Sequence, residues 1–227
     1  MTFRSLARAF AGVLALIVFA AVVACNTASA KLVVPDAAVD DSGAAKSGPQ
    51  SVVLAGGCFW GIQLVFEHVK GVMSATAGYS GGSAKTAEYE IVSSGTTGHA
   101  ESVKITYDPS QITLGRLLKV FFSVALDPTE LNRQGPDEGT QYRSVIFYAD
   151  QNQQRIAQAY IAQLDQAKVF PQKIVTQIVP LQGFYQAEAY HQDYAEHNPN
   201  NPYIMAFDLP KLANLRKSFP NLYVQPR

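Results

Sequence analysis

Cysteine is scarce in this chain. Two occur among 227 residues, Cys25 and Cys58, so one internal disulfide is the most the sequence could form. Net charge is absent as well. Lys and Arg total 18, Asp and Glu total 18, and no basic stripe interrupts the balance. Nothing therefore attracts a polyanion, which argues against nucleic-acid binding. No internal repeat is present, and tryptophan occurs once, at Trp60. What remains is 48% hydrophobic and 16% charged, a globular composition with enough apolar material for a real core.

The long apolar run is "AFAGVLALIVFAAVVA", residues 9–24, behind a positive start made by Arg4 and Arg8. It is short for a spanning helix and the right length for a secretory signal. Two exits follow. "VVAC", residues 22–25, resembles a bacterial lipobox, with Val22 where leucine is usual, and "ASA", residues 28–30, is an A-x-A cleavage site. Lipobox processing before Cys25 is favoured over plain cleavage. Either route exports the protein to the periplasm, with a lipid anchor in the first case, and either removes the Cys25 thiol. Residues 1–30 are thus expected to be a signal peptide, and 31–50, "KLVVPDAAVDDSGAAKSGPQ", a flexible linker. Residues 51–227 are expected to form one folded domain.

Within that domain, strands and helices alternate. "SVVLAGG" reads as a buried strand. Phe59, Ile62, Phe66 and Val69 then recur at helical spacing until Gly71. "VMSATAGYSGG" and "SVKITYD" read as strands. Leu114, Leu117, Leu118 and Phe121 mark a helix with Thr113 as its N-cap. "SVIFYA" is a strand, Ile156, Tyr160 and Leu164 line an amphipathic helix, "KIVTQIVP" is a strand and "QAEAYHQDYAEH" a short helix. The Pro- and Asn-rich remainder reads as coil. The expected class is α/β (α+β): a two-layer sandwich of a mixed sheet with helices packed on it, and a coil-rich C-terminal segment.

Cys58 sits in "AGGCFWG", residues 55–61, between a strand end and a helix start. The glycines permit a sharp turn. The helix dipole and its free N–H groups favour thiolate there, which predicts a pKa below the free value of about 8.5. A nucleophile needs that environment. Phe59 and Trp60 would stand beside it as an aromatic wall able to hold a small apolar group such as a methyl. Other polar candidates are Tyr79 in "GYSGG", Tyr89 in "AEYEIV", His99 and Glu101 in "GHAES", and Asp137, Gln141, Tyr142 and Arg143 in "GPDEGTQYRS". Each alone has an ordinary structural explanation.

Taken in order, "GGCFWG", "GYSGG", "SGTTGHAE", "YDPSQI", "GPDEGTQYRS" and "AEAYHQDY" resemble the peptide-methionine (S)-S-oxide reductases, the A-type methionine sulfoxide reductases, from about residue 51 to about residue 203. The resemblance implies an α/β two-layer fold and reduction of methionine (S)-sulfoxide, free or in oxidised exported proteins, through a sulfenic acid. It implies Cys58 as nucleophile and Phe59 and Trp60 as the methyl pocket. Glu101 matches the acid that protonates the sulfoxide oxygen, and Tyr89 and Tyr142 the hydroxyls that bond that oxygen. Asp137 matches a carboxylate near the site. For His99, Glu188 and His191 a structural role is expected. No metal or organic cofactor is implied, and the expected state is a monomer. Many members carry resolving cysteines in the tail, whereas residues 198–227 contain none. An external thiol or a thioredoxin-like protein is then the expected reductant.

Rival readings differ in class. A cysteine hydrolase would pair Cys58 with His99 or His191 as base. A metal module would use Glu188, His191 and His197. A non-catalytic lipid-tethered binding domain would not need Cys58.

Overall fold

The computed structural model describes residues 34–41 and 48–225. The expected signal peptide and Cys25 lie outside the described residues, as do positions 31–33 and 42–47 of the expected linker. Alternation sets the strands. In β1 (Gln50–Ala55) Val52 and Leu54 enter the main core, while Val53 and Ala55 join a smaller cluster with Val145 and Phe147 on the opposite face. β1 lies at the centre of a six-stranded sheet. Its other strands are β2 (Val72–Ser80), β3 (Ala100–Tyr107), β6 (Val145–Tyr148), β7 (Gln177–Pro180) and β8 (Phe184–Gln186), in the order β7-β6-β1-β3-β2-β8. A two-stranded ribbon, β4 (Arg133–Gln134) with β5 (Asp137–Glu138), stands apart from it. Only β6 and β7 run parallel; the other pairs are antiparallel, so the sheet is mixed.

Helices form the second layer. α1 (Phe59–Glu67) buries Ile62, Val65 and Phe66 in the main core. α2 (Tyr89–Val92) is a single turn. α3 (Leu114–Val120) is capped by the Thr113 side chain and continues into a π-type turn, Phe121–Ala125. α4 (Gln151–Gln166) brings Ile156, Tyr160 and Leu164 to the same core, with Asp150 as its side-chain cap.

Three expectations are corrected. Residues 34–41 are not a free tether. Val34 is buried, the Tyr160 hydroxyl donates to the Pro35 carbonyl at 2.7 Å, and Gln163 donates to the Asp36 carbonyl at 2.9 Å while accepting from the Ala38 N–H at 2.9 Å. The Asp40 carboxylate takes the Thr113 hydroxyl and the Gly115 N–H at the start of α3. A composition that lacks apolar period can still dock: Val34 enters the main core with Ala37 and Val39 packed against it, and polar partners already sit on α3 and α4. The second correction is "QAEAYHQDYAEH". It divides into the end of β8, a 3₁₀ turn at Ala189–His191 and α5 (Tyr194–His197), with Asp193 left-handed at φ 54° between them. The third is the tail, where Ile204–Asp208 forms a π-type turn and α6 (Leu209–Ser218) follows. Pro210 stands where the π-type turn passes into α6, in the first turn of that helix.

Candidate active site

Cys58 follows β1 and is the N-cap of α1. Gly57 before it has φ +95°, and a Cβ there would meet Gln134 Cγ at 2.6 Å, so the turn requires glycine. The Gly57 N–H donates to the Tyr142 carbonyl at 3.1 Å, which ties the cysteine turn to the segment carrying Tyr142.

Glu101 lies on β3 in the same alternation as Val103, Ile105 and Tyr107, all of which enter the main core. It therefore places a carboxyl on an apolar face, and it is 3% exposed. Its Oε2 accepts the Phe59 N–H at 3.0 Å, one of the donors left free in the first turn of α1. Burial pushes the Glu101 carboxyl up to about 8; the Phe59 N–H opposes the rise and the Asp137 carboxylate adds to it. At neutral pH this group carries a proton that it can donate.

The expected low-pKa thiolate is not found. Burial drives the Cys58 thiol well above its ordinary value, the charges of Glu101 and Asp208 push in the same direction, and the Trp60 N–H and Lys211 pull against them. The helix start is present, but an enclosed, acid-flanked sulfur loses more in hydration than the Trp60 N–H and Lys211 return. Cys58 is thus held as a thiol.

Around it stands an aromatic wall. Phe59 is fully buried and Trp60 half-buried. The Trp60 ring stacks on Tyr194 at 4.0 Å and meets Tyr203 edge-on at 6.1 Å. Its Nε1 donates to His191 Nδ1 at 3.2 Å. The His191 ring lies 5.0 Å from Phe59 and 4.4 Å from Tyr89. Tyr89 and Tyr142 are half-buried, and both are pushed up by burial and then by the Glu101 charge, with Cys58 contributing. Asp137 accepts the Tyr203 hydroxyl. Cys58, Phe59, Trp60, Tyr89, Glu101, Asp137 and Tyr142 thus converge on one place.

Other residues complete the place, Glu188 and His191 in the structural roles expected of them. Glu188 is the brace of the tyrosines: it accepts the Tyr79 hydroxyl at 2.8 Å and the Tyr89 N–H at 2.9 Å. His191, read as structural, lines the aromatic wall and leaves Nε2 buried without a partner. Both sit in a segment already singled out, "AEAYHQDY", so the signal was present. Tyr203 and Asp208 come from the tail, which held no motif. Arg143 is a clamp, donating to the carbonyls of Gly98, His99 and Thr140 at 2.9, 3.1 and 2.8 Å.

The rival readings fare as follows. His99 faces Gly82 and Ser83, and His191 faces Trp60. Among the described residues no histidine hydrogen-bonds the Cys58 sulfur, as a hydrolase base would. Nor do three His, Cys, Asp or Glu side chains among the described residues gather where one metal ion could touch them.

Comparison with known proteins agrees with this geometry. Residues 50–222 match the family model "Peptide methionine sulfoxide reductase". A "Peptide methionine sulfoxide reductase MsrA 2" of Mesorhizobium japonicum is 59% identical over 179 residues, spanning 79% of this chain and 92% of that protein. Its namesake from Synechocystis is 49% identical over 189 residues, spanning 82% and 88%. Among solved structures, reduced Mxr1 from Saccharomyces cerevisiae aligns with TM-score 0.61 at 32% identity, covering 69% of this chain and 90% of its own. Methionine sulfoxide reductase A of Corynebacterium diphtheriae aligns with TM-score 0.59 at 34% identity, covering 69% and 78%. With the ordered motifs, the fold and the gathered residues all agreeing, the chain belongs to the peptide methionine sulfoxide reductase family.

Proposed function

We propose that this chain reduces methionine (S)-sulfoxide with Cys58 as nucleophile and Glu101 as proton donor. The observation that carries the reading is a buried carboxyl held by the N–H of Phe59, one residue beyond the cysteine, whose burial pushes it up to about 8. The sulfoxide methyl would rest on Phe59 and Trp60. The oxygen would lie toward Glu101, with the Tyr89 and Tyr142 hydroxyls donating to it as charge develops. Cys58 attacks the sulfoxide and takes over its oxygen: a Cys58 S–O bond forms as the substrate S–O bond breaks. The products are methionine and Cys58 sulfenic acid: the substrate sulfur gains two electrons and the cysteine sulfur loses two. One proton leaves the thiol and one reaches the oxygen, so the step needs no net proton. A neutral Glu101 also removes one of the charges opposing thiolate, which suits a thiol that ionises only as it reacts.

The sulfenic acid would then await an external thiol, small or thioredoxin-like, because the tail supplies no resolving cysteine. The sequence of residues 1–30 supports export to the periplasm, with lipid attachment at Cys25 as the favoured processing. Oxidised exported proteins are the corresponding substrates, and a monomer the working unit.

The test is one turnover of mature protein without reductant. We expect one methionine per chain from the S epimer, none from the R epimer, and a sulfenic acid that dimedone traps at Cys58. Cys58→Ser should form no methionine. Wild-type yield from that variant, or an intramolecular disulfide by mass spectrometry, would overturn the cycle.

A further inference from the structure

The tail places a second buried acid beside the nucleophile. Asp208 is fully buried. Its Oδ1 takes Lys211 Nζ at 3.3 Å, and its Oδ2 is buried with no hydrogen-bond partner. The pair is lodged on Gly61, in the first turn of α1. A Cβ on Gly61 would fall 2.1 Å from Asp208 Oδ1 and 2.8 Å from Lys211 Nζ. Glycine at 61 therefore makes room for a carboxylate, three positions beyond Cys58. Gly61 is the third residue of α1 and Cys58 its N-cap, and an N-cap side chain lies over the third residue's N–H, so the two positions are about as close as neighbours on a helix face, about 5–6 Å between Cβ positions. The Asp208 carboxylate accordingly lies within about 8 Å of the Cys58 Cβ.

We propose that Asp208, admitted by Gly61 and held by Lys211, is a positioning residue for the reaction: its carboxylate opposes charge on the Cys58 sulfur and keeps the resting thiol unreactive. A cysteine without a resolving partner gains from such restraint. A standing thiolate would be open to peroxide, and a second oxidation to sulfinic acid is irreversible by thiols. Other groups face the same sulfur. Glu101 adds to the opposition only where it is ionised, above about pH 8, and Lys211 counters it. Tyr89, Tyr142 and Tyr203 feel the sulfur's charge. Asp208 itself is raised by burial, lowered by Lys211, and raised by Asp137. Removing one unit charge about 8 Å away, at an effective dielectric of about 20, moves a titration by on the order of one pH unit.

The proposal rests on Cys58 being the nucleophile, and its test is separable from that assignment because it needs no sulfoxide. The pH-rate profile of Cys58 alkylation by iodoacetamide is followed by mass spectrometry. Asp208→Asn should bring the midpoint down by about one unit and, below both midpoints, speed alkylation by about threefold once the lower nucleophilicity of a weaker base is counted. Gly61→Ala, which displaces the carboxylate without removing it and keeps a good helix former, should move the midpoint the same way, and it carries the test if Asp208→Asn fails to fold. Asp208→Glu, which retains the charge, should keep the wild-type midpoint. An unchanged or raised midpoint in either of the first two variants, as folded protein, overturns the proposal, as does a midpoint in Asp208→Glu as low as in Asp208→Asn.

Discussion

In the proposed reaction Glu101 is the proton donor. Its carboxyl is neutral because burial disfavours its charge, and it is placed because one N–H of α1 holds it. Glu101→Gln keeps the shape and the acceptor but offers no acidic proton. General acid catalysis contributes about 10²–10⁴-fold, so the reductive step in a single-turnover experiment should slow by that range; a loss below about threefold would contradict the role. The pH dependence has a definite sign. A donor that titrates near 8 is loaded below that value and empty above it, so the wild-type rate of this step should fall as pH rises through about 8. In Glu101→Gln that limb should vanish. Trp60 has a different part. Its ring is locked between Tyr194 and His191, so Trp60→Ala opens the wall meant for the methyl. Poorer complementarity around one methyl is worth about 1–3 kcal/mol. The expected loss in kcat/KM is therefore about tenfold or more, with Cys58 still open to a small alkylating agent. Normal binding and reduction would make the aromatics packing only.

At the level of the element, the start of α3 shows how a polar segment can be structural. Thr113 caps the helix from within, accepting the Arg116 N–H. Asp40 caps it again from outside through the Thr113 hydroxyl and the Gly115 N–H. Loss of a capping acid costs about 0.5–2 kcal/mol. Asp40→Ala should lower the free energy of unfolding by about that much in urea titration and leave single-turnover reduction unchanged; no change in stability would mean that the segment rests on the domain without holding it. Elements such as β1, β3, α1, α3 and α4 were legible because one dominant signal, alternation or a 3.6 period, set each of them. Glu101 was legible twice, by its motif and by its place in the stripe of Val103, Ile105 and Tyr107. The docked strap was not, since its partners are single side chains far along the chain. α6 was hidden by Pro210, whose meaning depends on where the helix begins. The ionisation of Cys58 was misread because the helix start is visible in sequence, whereas the enclosure of the sulfur by β3 and the tail is not.

Across the whole molecule, the buried acids set a stability that depends on pH in a direction opposite to that of ordinary ion-paired carboxylates. Glu101 is pushed up to about 8 and Glu67 to about 9, in both cases chiefly by burial, with the neighbouring Asp193 adding to the second. A carboxyl whose folded value lies above its unfolded value holds its proton better in the native state. Its stabilising contribution is complete below the unfolded value near 4.5 and is lost as pH rises through the folded one. Groups shifted the other way act lower on the scale. His191 is lowered from 6.5 by burial, so its charging penalises the fold only below that pH. Asp36 and Glu188 are lowered from 3.8 and 4.5 and matter only in acid. Between about pH 6.5 and 9 the raised acids therefore dominate, and stability should decline across that window. Calorimetry in buffers of constant ionic strength gives the slope. Glu101→Gln should lessen the decline up to about pH 8 and Glu67→Gln the decline up to about pH 9, each by removing the proton whose binding differs between the two states. A wild-type midpoint temperature that stays level or rises from pH 6.5 to 9 would show that these carboxyls are ionised in the native protein. It would also take away the neutral donor that the sulfoxide oxygen requires.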